Sequence, residues 1–147
     1  LEDLANGHFQ TVIGDQGKLD PKKVKRVILC GGKVYYDLAA KREEMGAEDT
    51  AIVRIEQLYP FPEDDLEAEL AQYTNLEHVV WCQEEPQNQG AWYSSQHHMR
   101  NVIQSLNSSI NLRYAGREAS AAAAAGYPEL HLQQLNAFLE QALGNQE

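Results

Sequence analysis

The side chains that could do chemistry are few, and the spacing of each set limits what it can do. Glu84 and Glu85 stand side by side, and two carboxylates can serve as general acid and general base. Neighbours on an extended chain point to opposite faces, so this pair does not readily address one reacting atom. His97 and His98 are also adjacent. On a helix such neighbours diverge by about 100°, whereas zinc ligands on one helix favour an i, i+4 spacing. His8, His78 and His131 are scattered, and no metal site is expected. In Arg113-Tyr114-Ala115-Gly116-Arg117, two guanidinium groups flank a glycine. At a strand end they suit an anion, and in so acidic a chain they equally suit Glu84 or Glu85. Gly31-Gly32-Lys33 follows an apolar run, where the amides of a helix start can meet a phosphate. It fits neither the dinucleotide nor the phosphate-loop motif, and a tight turn is the simpler reading. Cys30 and Cys82 each end an apolar run. They read as buried free thiols of a reducing compartment rather than as a disulfide.

These residues need elements to hold them. Val79-Val80-Trp81-Cys82 has the size and composition of a buried strand. From Gln83 the chain turns to amides and acids around Pro86 and Gly90, which is turn chemistry. Past Gly90 a helical rhythm begins. A strand, a polar loop and a helix start make the working edge of an open α/β sheet. Two carboxylates and the amides of Gln83, Gln87, Asn88 and Gln89 lie between Trp81 and Trp92. Such groups suit specified hydrogen bonds and not nucleophilic attack. A polar, tightly packed subunit or domain interface is therefore expected, with Trp81, Gln83, Glu84, Glu85, Asn88, Gln89 and Trp92 as its candidates.

Around that stretch, strands are expected at 27–30, 51–55 and 112–115. A helix over 33–45 would bury Val34, Leu38 and Met45, and Gly46 would stop it. Pro60 and Pro62 fix an extended elbow. A second helix over 63–73 would bury Leu66, Leu70 and Tyr73, with Glu63, Asp64 and Asp65 in its first turn, where the helix dipole favours acids. A third over 90–106 would bury Trp92, Met99, Val102, Ile103 and Leu106. A fourth over 128–143 would turn Leu135, Phe138, Leu139 and Ala142 inward, after a close-packed loop or short turn at 120–125. Residues 1–21 read as an extended arm entering from a preceding domain, and 22–147 as one α/β domain. Four strands alternating with helices predict a three-layer, open, mostly parallel sheet of about four to five strands with helices on both faces.

Composition narrows the function classes. The 147 residues suffice for one domain with a proper core. Lys and Arg number 12 against 22 Asp and Glu, a formal charge of −10. That argues against a nucleic-acid surface and against anionic membranes. No apolar run nears the roughly 18 residues of a membrane span. Leu1-Glu2-Asp3 does not open a signal peptide. The missing initiator Met suggests a trimmed fragment or a processed terminus.

Four separated motifs carry a family resemblance. Trp81-Cys82-Gln83-Glu84-Glu85-Pro86, followed by Asn88-Gln89-Gly90-Ala91-Trp92, closely resembles the C-terminal region of the thiamine-diphosphate-dependent decarboxylating first component of 2-oxoglutarate dehydrogenase. Gly32-Lys33-Val34-Tyr35-Tyr36-Asp37-Leu38, the run from Ala51 to Pro62, and the Arg113–Arg117 motif fall in the order that family has them. With His8-Phe9-Gln10-Thr11-Val12-Ile13, the resemblance runs from about Gly7 to the C-terminus. It implies a homodimeric enzyme that decarboxylates 2-oxoglutarate on thiamine diphosphate and magnesium. The succinyl group then passes to a dihydrolipoyl succinyltransferase. The compartment would be the cytoplasm in a bacterium, or the mitochondrial matrix in a eukaryote. The cofactor-binding domains would lie upstream, so this fragment should hold no cofactor ligand and be inactive alone. Its roles would be to complete the dimer, buttress the upstream domains and, in some members, bind an effector.

In Gly14-Asp15-Gln16-Gly17 the extra Gln16 breaks the Gly-Asp-Gly spacing of the family's metal site, and a plain turn is expected. Some actinobacterial relatives hold acetyl-CoA in this region with a Lys, a Ser, a Gln and paired Arg. The matching positions here are His8, Thr11, Gln57, and Asp64 with Asp65. Because the last pair reverses the charge, acetyl-CoA should not regulate through that site. Any effector should use Lys33, Arg113 or Arg117. Two alternatives differ in class or substrate: a free-standing flavodoxin-like nucleotide-binding module, and the same domain of a 2-oxoadipate or branched-chain enzyme.

Overall fold

A computed structural model describes residues 11–15, 17, 19–32, 34–86, 91–117 and 142–143, and of Pro86 and Arg117 only the backbone. Its five strands are β1 (Val12–Ile13), β2 (Arg26–Cys30), β3 (Thr50–Ile55), β4 (His78–Pro86) and β5 (Leu112–Arg117). The helices between them are α1 (Val34–Met45), α2 (Glu63–Ala71) and α3 (Trp92–Leu106). The strands lie in the order β1-β3-β2-β4-β5. β2 to β5 are parallel, and β1 adds antiparallel to β3.

The alternation of side chains along each strand divides the core in two. Val27, Leu29, Ala51, Val53, Val79 and Trp81 face α2 and α3. Ile28, Cys30, Ile52, Val80, Cys82 and Ala115 face α1, Ala142 and Leu143. Burial on both faces explains why the strands are continuous apolar runs rather than alternating ones. Helices on both sides of a mostly parallel sheet give the expected three layers.

The helices bury the stripes that their spacing predicts, with particular exceptions. Val34 and Leu38 are buried on α1, and Met45 packs at the margin of the same core. Gly46 adopts a left-handed φ of 65°, and Ala47 N–H donates to the Arg42 carbonyl, so the helix ends as glycine allows. On α3, Leu106 is 40% exposed, not inward. It is the last helical residue, past the end of the sheet, and Ser95 is buried among the apolar residues instead. The fourth helix and the 120–125 loop fall outside the described residues, except that Ala142 is helical and buried.

The arm is part of the sheet. β1 covers only the C-terminal half of the β3 edge, pairing Val12 with Ile55 and Ile13 with Arg54. Asp15 serves the rest of that edge. Its Oδ2 accepts the Ile52 N–H at 2.7 Å and also pairs with Arg42 Nη1. Its Oδ1 accepts the Gly17 N–H at 2.7 Å, which closes the turn the sequence suggests. Arg42 in turn donates to the Thr50 carbonyl at 3.1 Å. Both cysteines are free and buried on the α1 face. Burial pushes the Cys30 thiol up to about 12, and it raises Cys82 in the same direction, so both are neutral thiols.

Candidate functional site

β4 does not end where the sequence turns polar. It runs on through Gln83, Glu84 and Glu85 to Pro86, where the pairing with β5 shifts register: Gln83 lies opposite Gly116, and Pro86 opposite Arg117. An irregularity of this kind bends a strand. The expected loop therefore begins as strand, because the backbone groups of β5 are there to be paired.

Gln83 is the centre of this junction and is 3% exposed. Its side-chain oxygen accepts the Trp81 indole N–H at 2.9 Å and the Trp92 backbone N–H at 3.1 Å. Its amide nitrogen donates to the Glu85 carbonyl at 3.1 Å. Trp92 opens α3, so one amide side chain satisfies a helix-start N–H that the helix itself leaves without a partner. The same amide is hydrogen-bonded to the Tyr114 hydroxyl. Burial above all pushes that phenol up to about 12. The Trp92 and Tyr114 rings lie 5.2 Å apart, and the Arg100 guanidinium stands 5.5 Å from the centre of the Trp92 ring. Gly116 completes the joint. A β-carbon there would stand 2.6 Å from both the Gln83 carbonyl oxygen and the Tyr114 hydroxyl.

The interface candidates thus divide. Trp81, Gln83 and Trp92 are buried against their own chain. Glu84 is half-buried, Glu85 is exposed, and Asn88 and Gln89 lie outside the described residues. Glu84 and Glu85 line a cleft of about 540 Å³ at the carboxyl ends of β2, β3 and β4, together with Gly31, Glu56 and Ser94. Gly32 takes a left-handed φ of 64°, the tight turn that Gly31-Gly32 suggests.

The effector candidates fall at several places in the chain. Lys33 and His8 lie outside the described residues. Arg113 is exposed on β5, and Arg117 follows four residues on, about 13 Å along a strand. Thr11 donates its hydroxyl proton to the Asp65 carboxylate, while Gln57 donates to the Pro60 carbonyl at 2.9 Å. Asp65, at the start of α2, is therefore in use. Glu63 Oε2 lies 2.5 Å from His98 Nδ1, and the His98 ring stacks on Phe61. Sequence reasoning missed Tyr114 and His98 as partners. Nothing local marks Tyr114, whereas an acid-rich helix start predicts a partner for Glu63 without naming it.

No described group of three or more His, Cys, Asp or Glu could hold a metal ion. No described helix is long and apolar enough to cross a membrane. An open, mostly parallel α/β domain with a hydrogen-bonded strand-to-helix junction and an acidic cleft at its carboxyl edge is a class with many members. Similarity to known proteins narrows it. Residues 1–143 match the family described as 2-oxoglutarate dehydrogenase C-terminal, and the chain belongs to that family. It is 61% identical over 142 residues to the 2-oxoglutarate dehydrogenase E1 component of Azotobacter vinelandii. It is 53% identical over 143 residues to the E1 component of Haemophilus influenzae, and 54% over 142 to that of Cupriavidus necator. Each match covers 97% of this chain but only 15% of the relative. These matches do not favour a free-standing flavodoxin-like nucleotide binder.

The packing at the junction predicts that Gly116→Ala destabilises the domain by about 1–3 kcal/mol, the usual range for overpacking a filled site. Gln83→Leu should cost about as much or more, because the Trp81 and Trp92 donors are left buried without an acceptor. Urea denaturation followed by tryptophan fluorescence would read both. Midpoints equal to that of the parent would contradict the packing described.

Proposed function

We propose that this chain is the C-terminal domain of the decarboxylating component of 2-oxoglutarate dehydrogenase, and that its own role is structural. The full enzyme would use thiamine diphosphate and magnesium, act as a homodimer and hand a succinyl group to a dihydrolipoyl succinyltransferase. The observation that carries the reading is the match along nearly the whole chain to E1 components of which it spans 15%.

The described residues do not fit a magnesium–diphosphate site. Asp15 is the one acid in a glycine-flanked setting like the family's metal motif, and its side chain is only 5% exposed. Its two oxygens are taken by the Gly17 and Ile52 amides and by Arg42. What the residues of this chain do is hold β4, α3 and β5 in one register and present the carboxyl edge of the sheet outward. Calorimetry with thiamine diphosphate and magnesium tests the division of labour. Full-length enzyme should give a saturable isotherm and the isolated domain none; a micromolar isotherm from the domain would overturn it.

At the position where some relatives hold acetyl-CoA, Asp65 already accepts the Thr11 hydroxyl, and Glu63, Asp64 and Asp65 supply negative charge where a phosphate would approach. Losing charge-assisted hydrogen bonds of about 1.5–3 kcal/mol each weakens such a site by roughly two or more orders of magnitude. Acetyl-CoA should therefore not activate the full-length enzyme through this position. Activation at micromolar concentration that is abolished by Thr11→Ala or Gln57→Ala would contradict this.

A further inference from the structure

Three neighbouring strands place Arg54, Cys30 and Cys82 in one row across the sheet. The β2–β3 register sets Cys30 beside Arg54. The β2–β4 register sets Leu29 beside Trp81, so Cys30 comes opposite Cys82 one step further on. All three side chains lie on the α1 face: both cysteines belong to its core, and Arg54 follows Ile52 of that core by two residues. Both cysteines are fully buried. Besides burial, which dominates, the Arg54 charge acts on the Cys30 thiol, and Cys30 acts on Cys82.

Two features set this row apart from thiols packed as small apolar groups. The first is an unmet demand at Arg54. Its guanidinium lies over the Tyr35 ring, 4.3 Å from the centre, and its Nη1 stands 3.8 Å from Glu56 Oε1. Its Nε is buried with no hydrogen-bond partner. A buried donor without an acceptor is destabilising. A neutral thiol accepts only weakly, whereas a thiolate carries the charge that makes a bond to a guanidinium strong. The second feature is spacing. Neighbouring strands stand about 4.7–4.9 Å apart, and two thiolate–metal bonds of about 2.3 Å in line span about 4.6 Å. A disulfide would draw the β-carbons to about 3.8 Å, closer than the strands stand. A tetrahedral ion such as zinc would lack half its ligands, since among the described residues no third His, Cys, Asp or Glu joins the pair.

We infer that Cys30 and Cys82 form a buried two-coordinate site for a soft monovalent cation of the copper(I) kind, with Arg54 as the donor to its ligands. Thiolates are the ligands such ions select. Binding forms two sulfur–metal bonds and releases the two thiol protons to water, so the complex carries a single negative charge. The Arg54 Nε–H then donates to the Cys30 sulfur and offsets that charge. A divalent ion in the same geometry would leave a neutral complex and give the guanidinium less to hold. The bound cation would tie β2 to β4 where both strands reach the carboxyl edge of the sheet.

Competition for copper(I) with bicinchoninate, whose coloured complex fades as protein takes the metal, tests this on full-length protein kept reduced. The parent should take up one equivalent per chain more than Cys30→Ala or Cys82→Ala, each single change abolishing the whole equivalent. Arg54→Lys keeps the positive charge but removes Nε, and should retain that equivalent at an affinity several-fold lower. Circular dichroism and the thermal midpoint check that each variant is folded. Should the cysteine variants not fold, the parent alone decides. Its alkylation at intermediate urea, read peptide by peptide in the mass spectrometer, should be slowed several-fold by copper(I) at Cys30 and Cys82 together. Equal copper uptake by parent and folded cysteine variants, or protection of only one cysteine or of neither, would overturn the inference. Unchanged affinity in Arg54→Lys would overturn the part given to Arg54.

Discussion

A buried amide must find partners for its polar atoms, and the way Gln83 meets that demand determines much of the surrounding structure. Leaving such a group unsatisfied costs about 1–3 kcal/mol, a large share of an ordinary domain's stability. Gln83 meets the demand by taking the indole N–H of Trp81 and the first backbone N–H of α3, and by donating to the Glu85 carbonyl. Those bonds fix where β4 stops and where α3 starts. They also require β5 to come close, which only a residue without a side chain permits at Gly116. Glu84 and Glu85 are placed at the cleft as a consequence.

A comparable constraint operates at the other edge of the sheet. β1 is two residues long and cannot cover all of β3, so the Asp15 carboxylate takes the Ile52 amide that a longer strand would have paired. A lone carboxylate there would be costly, and Arg42 offsets its charge from α1. The arm, the first helix and the edge strand are thereby tied at one point.

The layers were legible because the sheet is buried on both faces. Runs such as Val27-Ile28-Leu29-Cys30 can be little else when Gly31-Gly32 follows, and Leu66 with Leu70 can be placed only on a helix face. The end of β4 was not legible. Gln83-Glu84-Glu85-Pro86 has loop composition, and it is drawn into the sheet by β5, some thirty residues on in sequence. For the same reason Trp81 and Trp92, read as candidates for a subunit or domain interface, are buried against their own chain. Amide density did signal specified hydrogen bonds, but whether their partners lie inside or outside the domain is a tertiary matter. Arg113-Tyr114-Ala115-Gly116-Arg117 was similarly ambiguous: its tyrosine and its glycine meet Gln83.

Everything attributed to the junction depends on Gln83 holding both tryptophan N–H groups out of reach of water. Hydrogen exchange resolved at the Trp81 indole and the Trp92 amide, compared with the β2 amides, measures that protection most directly. Both should exchange only through large-scale opening, as slowly as the centre of β2, and should become fast in Gln83→Leu. Rapid exchange at either group in the unaltered protein would show that the junction is open, and that β4, α3 and β5 are held together by something else.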